Sequence, residues 1–265
     1  MAGTNLYVSL RSSGIGRVDL RLNWGCPISP FPLFQIGHNL KYRNMKVLEL
    51  FSGTECVSNA FRARGHECFT IDWDKQFPSS LHCDIGKLTS EEIVEKFGYP
   101  DVIWAAFDCT TFSVAAISHH RRRNPITESL EPISDYAKQC DATDQNVLKI
   151  IKELQPKVFI IENPRGGLRK MWWMRGIPRY TTTYCKYGDT RMKPTDFWSN
   201  IDLNLLPPCH NGDSCHESAP RGSRTGTQGL KGARERSMYP PKLCEHIVDV
   251  CEKAMGENKM QLSLF

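Results

Sequence analysis

Lys46-Val-Leu-Glu-Leu-Phe-Ser-Gly-Thr-Glu55 sets how the rest of the chain is read. Four of its first six residues are apolar, Val47, Leu48, Leu50 and Phe51, so the stretch reads as a buried strand, and Ser52-Gly53 punctuates it. A helix through Val57, Ala60 and Phe61 is predicted next, ending at Gly65, and Glu67-Cys-Phe-Thr-Ile-Asp72 is the second predicted strand. A short third strand lies near Leu81-His-Cys-Asp84. Thr89-Ser-Glu-Glu92 opens a capped helix that stops at Gly98, and Asp101–Phe107 is the fourth strand. After a polar, basic loop, a helix with apolar positions Val147, Leu148, Ile151 and Leu154 ends before Pro156, and Lys157–Glu162 is the fifth strand. Strands alternating with helices predict a doubly wound, mostly parallel α/β sheet covered on both faces. The sequence contains no internal repeat.

Composition narrows the function classes. At 265 residues the chain holds one large domain or two small ones. Hydrophobic residues at 40% and charged residues at 24% exclude wholesale disorder and collagen-like repeats. The longest apolar runs, Val158–Ile161 and Val102–Phe107, are far too short to cross a bilayer, so no membrane partner is expected. Residues 1–44 hold five basic side chains and one acid, leaving only one of the chain's five net positive charges for everything after them. A uniformly basic wrapper of nucleic acid is thereby excluded, and contact with nucleic acid must use local patches. The same 44 residues show no sustained period and read as a poorly ordered N-terminal extension. The eleven cysteines include several inside predicted elements, which points to a reducing, cytoplasmic compartment with thiols used for packing, chemistry or metal.

In parallel sheets ligands bind at the carboxyl ends of the strands, near the switch in strand order. Gly53 lets the backbone approach a ligand, although a lone glycine after a strand is usually only a turn. Asp72-Trp73 pairs an acid for ribose hydroxyls with an aromatic for a purine, or is a solvated strand end. Asp84 could accept from an exocyclic amine. Together they outline one nucleoside-shaped crevice. Strand four runs into Asp108-Cys-Thr-Thr-Phe-Ser113, where a thiol at a strand-to-loop junction suits nucleophilic attack or simple packing. Strand five ends in Glu162-Asn-Pro164, and an acid closing an apolar strand suits proton donation or capping.

In that order, Phe51-Ser-Gly53, Asp72, Asp84, Cys109-Thr-Thr-Phe-Ser113 and Glu162-Asn-Pro164 resemble the cytosine-C5 DNA methyltransferase family, particularly its small phage and prophage members. The resemblance spans about residues 45–200, with a weaker tail in which Tyr187-Gly-Asp-Thr-Arg-Met-Lys193 is similar to the family's alternating Gln and Arg segment. Thr195–Asn200 resembles the strand that follows, and Tyr239-Pro-Pro-Lys-Leu-Cys-Glu-His246 the helix that closes the cofactor pocket. The resemblance implies a Rossmann-like methyltransferase sheet with a small loop-rich recognition lobe. It divides the chain into a catalytic core at 45–200, a compact basic recognition segment at 201–236, and a closing helix and tail at 237–265. It also implies methyl transfer from S-adenosylmethionine to C5 of a flipped cytosine in double-stranded DNA, by a monomeric prokaryotic or phage-encoded enzyme of the kind found in restriction-modification. Cys109 would be the nucleophile, Glu162 the acid at N3 and Arg191 a charge stabiliser beside the base. Phe51, Ser52, Gly53, Thr54, Asp72, Trp73, Asp84 and Ile85 would line the cofactor site.

The chain departs from the family at Asp108, where a proline is usual, at Asp189 for Gln and at Lys193 for Arg, and it carries Thr54-Glu55 where many members have a further Gly. An acid beside a thiol opposes thiolate formation. Asp108 therefore favours a catalytically silent DNA-binding module, while the same chemistry on tRNA is the other alternative. Arg121, Arg122 and Arg123, in a loop the resemblance makes mobile, are candidate phosphate contacts or a solvated charge run, and Arg221 and Arg224 are further DNA contacts. Cys185, Cys209, Cys215 and His216 form a candidate zinc set, although their spacing is not that of a standard finger.

Overall fold

The computed structural model describes residues 43–217 and 232–262. Most of the extension at 1–44 and part of the recognition segment, Arg221 and Arg224 included, lie outside the described residues. The elements run β1 (Lys46–Leu50), α1 (Cys56–Ala63), β2 (Glu67–Asp72), β3 (Leu81–His82), α2 (Ser90–Phe97), β4 (Val102–Ala106), α3 (Ile117–His120), β5 (Arg121–Arg123), β6 (Leu130–Pro132), α4 (Asp135–Leu154), β7 (Val158–Pro164), β8 (Arg179–Thr183), β9 (Pro194–Ser199), α5 (Ala233–Ser237) and α6 (Pro241–Leu262). Among the described residues no helix is long and apolar enough to cross a membrane.

Seven strands form one sheet in the order β3-β2-β1-β4-β7-β9-β8. The first five of these pair in parallel, while β9 runs antiparallel to both β7 and β8. Strand β1 lies mid-sheet; from it the chain builds outward to β3, then crosses back to lay β4 on the other side of β1. That reversal opens a crevice at the carboxyl ends of β1 and β4.

Side-chain alternation along the strands makes two cores. Leu48, Leu50, Ile103, Ala105 and Ile161 face α2 and α4, packing with Ile93, Val147, Ile150, Ile151 and Leu154. Val47, Val102, Trp104, Val158 and Ile160 face the opposite way, against Val57 and Phe61 of α1 and Leu243, Ile247 and Val248 of α6. Helix α2 begins with a reciprocal cap: Glu92 N–H donates to Thr89 Oγ1 at 3.2 Å, and Thr89 N–H donates to Glu92 Oε2 at 3.0 Å.

The basic run after Cys109 divides between interior and surface. Arg121 is buried, so its place among the DNA contacts is corrected here. Its guanidinium donates to Asp141 of α4 at 2.6 and 3.1 Å, to the Thr111 carbonyl at 3.1 Å and to Thr111 Oγ1 at 2.7 Å, and lies 3.9 Å over the Phe112 ring. A buried guanidinium needs such a set of acceptors, and here they rivet the loop after Cys109 to α4. The far side of that loop is held by Gly167, whose N–H donates to the Phe112 carbonyl at 2.8 Å. At the neighbouring Gly166 a Cβ would sit 2.5 Å from the same carbonyl oxygen, so only glycine permits the approach. Arg122 and Arg123 are exposed, with Arg123 paired to Glu128. Arg121→Ala is therefore expected to destabilise the fold by about 3–5 kcal/mol, and Arg122→Ala by less than about 0.5 kcal/mol. Urea unfolding checks this; similar midpoints for both variants would contradict the buried-rivet role.

Candidate active site

Parallel pairing places Ala106 of β4 opposite Glu162 of β7, so the chain leaving β4 emerges beside that acid. Phe107 N–H donates to the Glu162 carbonyl at 3.2 Å, and Asn163 Nδ2 donates to the Phe107 carbonyl at 2.9 Å. The turn beyond is tight: Phe112 and Ser113 N–H groups both donate to the Cys109 carbonyl, at 3.1 and 2.8 Å. These bonds present Cys109 at the mouth of the crevice with its residue exposed.

Glu162 is 4% exposed. Its Oε2 accepts from the Tyr239 hydroxyl at 2.7 Å, while Oε1 is buried without a hydrogen-bond partner among the described residues. Burial raises its pKa, opposed by the Lys193 ammonium and the Tyr239 bond. A carboxyl whose pKa is raised by burial, with one oxygen unclaimed, is suited to donate a proton to a ring nitrogen.

Cys109 is harder to ionise than an ordinary cysteine. Desolvation of the sulfur, then the Glu162 and Asp108 carboxylates, push its pKa up to about 11, against the pull of Lys193. Asp108 is engaged elsewhere without being removed: it accepts from Thr110 N–H at 2.7 Å and from the Tyr136 hydroxyl. Burial and Asp108 together raise the Tyr136 pKa, so the phenol stays protonated and keeps donating.

The cation facing this pair is Lys193, not the expected Arg191. Lys193 Nζ lies 4.5 Å over the Tyr184 ring and donates to the Arg236 carbonyl at 2.9 Å. Burial lowers its pKa, and the charges of Glu162 and Cys109 act in the opposite direction. The Arg191 guanidinium donates to Asp189 through Nε at 2.9 and 3.0 Å, and reaches the carbonyls of Glu235, Arg236 and Met238 at 3.4 Å. Its charge is matched by Asp189, and it ties the strand-leading loop to the approach of α6. Tyr239, Lys193 and Gly166 were not singled out as functional from sequence. The i, i+2 spacing of Asp189, Arg191 and Lys193 was the available signal for the second.

The residues expected at the cofactor gather at the ends of β1, β2 and β3. Gly53, at φ +48°, donates its N–H to buried Asp72 at 2.8 Å, and Asp74 N–H takes the other Asp72 oxygen at 2.9 Å. Phe51 turns through a positive φ and packs edge-on to Phe107 at 6.1 Å. Ser52 Oγ bonds Ser79 Oγ at 2.9 Å, and Thr54 Oγ1 lies 3.0 Å from Cys56 Sγ. Trp73 is 70% exposed. Asp84 accepts from Gly86 N–H at 3.0 Å and pairs with Lys87 at 3.2 Å. Ile85 puts its side chain in the core, so any role at the crevice falls to its backbone. On the far side of β8, the ligand atoms of Cys185, Cys209, Cys215 and His216 come within 4.8 Å of one another.

Comparison with known proteins gives this arrangement its family. The family model for C-5 cytosine-specific DNA methylase matches residues 45–171. A probable DNA (cytosine-5)-methyltransferase of Frog virus 3 (isolate Goorha) is 30% identical over 221 residues, covering 78% of this chain and 100% of the viral protein. The type II methyltransferase M.BsuFI of Bacillus subtilis is 29% identical over 133 residues, covering 46% of this chain and 27% of that enzyme. A crystal structure of the S. pombe Dnmt2 methyltransferase aligns with a TM-score of 0.41 at 14% identity, over 60% of this chain and 51% of that one. With the viral relative matched along its whole length, and the Cys109 and Glu162 strand ends inside the matched region, the chain belongs to the C-5 cytosine-specific DNA methylase family.

Proposed function

We propose that this protein methylates C5 of cytosine in duplex DNA, using S-adenosylmethionine, with Cys109 as nucleophile and Glu162 as the acid at N3. The observation that carries the reading is the unclaimed, buried Oε1 of Glu162 at the end of the strand neighbouring the one that leads into Cys109, a residue exposed at the surface. The open backbone at Gly53, where an added Cβ would meet nothing within 4 Å, and the exposed Trp73 indole fit an adenosine with its sulfonium tail. When bound, that group supplies an electrophilic methyl.

The base must leave the helix before Cys109 can reach it, because stacking hides C6. The Cys109 thiolate then adds to C6, and the electron pair of the C5–C6 double bond moves toward N3. Glu162 protonates N3 and stabilises the charge that addition creates. C5, now enamine-like, takes up the methyl group as the methyl–sulfur bond breaks; the C5 proton leaves to water, its electron pair restores the C5–C6 double bond and expels the thiolate, and N3 returns its proton to Glu162. Lys193 favours each anionic state of the Cys109–Glu162 pair, and Tyr239 fixes the carboxyl through its other oxygen. A pKa near 11 leaves only about one Cys109 in ten thousand ionised at pH 7. A neutral Glu162 removes one of the two carboxylate charges that oppose the thiolate, so protonation at N3 and attack at C6 support one another.

Four measurements test this. Duplex DNA is expected to accept labelled methyl where tRNA does not, and 5-fluorocytosine DNA to form an adduct on Cys109 by mass spectrometry; adduct-free protein would leave a silent DNA-binding module. Glu162→Gln is expected to lower turnover about a hundred- to ten-thousand-fold while S-adenosylmethionine still binds. Because a raised thiol pKa withholds thiolate until high pH, Cys109 alkylation should climb with pH toward about 11. Asp108→Asn should move that climb to lower pH and Lys193→Met to higher pH. Peptide mapping after iodoacetamide treatment reads both, and coincident profiles would remove these charges from the account.

A further inference from the structure

We propose that Cys185, Cys209, Cys215 and His216 hold a structural zinc ion that clamps the loop after β9 to the end of β8. The four residues come from two separated stretches of chain, yet their ligand atoms converge. Cys215 Sγ lies 3.7 Å from Cys185 Sγ, and His216 Nδ1 lies 3.6 Å from both Cys209 Sγ and Cys215 Sγ. Zinc at about 2.3 Å from sulfur and about 2.0 Å from nitrogen, in tetrahedral geometry, sets S···S edges of about 3.8 Å and S···N edges of about 3.6 Å. Three edges of the cluster already have those lengths. The fourth, Cys185 Sγ to Cys209 Sγ at 3.1 Å, is shorter than a zinc edge and well beyond the about 2.05 Å of a disulfide.

Its surroundings suit thiolate ligands. Thr183 is fully buried, and its Oγ1 accepts from Cys209 N–H at 3.0 Å while lying 3.4 Å from Cys185 Sγ. Its own hydroxyl proton is thus available to a Cys185 thiolate, the second hydrogen bond that orients a metal ligand. Binding converts three thiols to thiolates and releases their protons to solvent, giving a site with one net negative charge and four protein ligands. With no position left open, the ion is structural rather than catalytic.

The loop gives the clamp its purpose. From Ile201 to Glu217 the chain forms no helix or strand, and Leu203 and Cys209 are its only buried residues. Little apolar burial is present to order it, so a metal would supply the missing free energy. One residue before Cys185 stands Tyr184, whose ring lies under Lys193, and Glu217 N–H donates to the Thr190 carbonyl at 2.9 Å between Asp189 and Arg191. The ion would brace the platform of the active-site cation and fasten the start of the basic segment to it.

Metal content needs no turnover, so this test stands apart from the methylation assay. Protein expressed with zinc supplied and purified by gel filtration is expected to carry about one zinc per chain, released stoichiometrically by a mercurial. Cys215→Ser and His216→Ala should each cut that content severalfold, while Cys83→Ser, whose residue lies outside the cluster, keeps it. If those variants do not fold, cobalt in the wild-type protein decides: intense tetrahedral bands with thiolate charge transfer support the site. Folded, metal-free wild-type protein, full zinc in Cys215→Ser, or a Cys185–Cys209 disulfide on non-reducing peptide maps would overturn it.

Discussion

The parallel pairing of β4 with β7 is the constraint on which the site depends. Its register sets Ala106 opposite Glu162, and every later distance follows from those two strand ends. A slip of one residue would turn Glu162 to the other face of the sheet and place an ionisable group against α2 and α4. The two apolar layers prevent that slip, because Trp104 and Ile160 fill one core while Ile103 and Ile161 fill the other. Packing on both faces therefore fixes the two strand ends side by side, and the hydrogen bonds beyond them set Cys109 and Glu162 in place.

Within that frame the electrostatics is a contest over few charges. Two carboxylates and a desolvated sulfur share a pocket with one ammonium, so the resting state favours a neutral thiol. Asp108 sharpens the contest where a proline would not. Its hydrogen bonds to Thr110 and Tyr136 anchor the side chain, and its field still reaches the sulfur. The loop bearing Cys109 is stiffened by Arg121 and by the Gly166-Gly167 approach, which limits how far the thiol can wander before a substrate arrives.

Much of this was legible in the residues themselves. The buried strand at Lys46–Leu50, the capped helix opened by Thr89 and the strand ending at Glu162 are local patterns, and the structure places each within a residue or two of its predicted bounds. The antiparallel setting of β8 and β9 was not legible, since strand direction depends on the partner and not on the strand's own side chains. The four Cys and His ligands were visible as a set but not as a geometry; only the packing of the loop after β9 against β8 brings their atoms together.

Sequence alone determined the order of elements, because hydrophobic period is a property of neighbouring residues, whereas the parts given to Cys109 and Glu162 are what the family resemblance implies. Only the tertiary structure decided which cations act where. Arg121 and Arg122 are adjacent and chemically identical, yet one is sealed inside against Asp141 and the other is exposed. Arg191 and Lys193 likewise differ in setting: Asp189 pairs with the guanidinium, while the ammonium lies close enough to Glu162 to oppose the rise in its pKa. A charge takes its role from its partners across the fold, and partners 20 or more residues away cannot be read from a local pattern.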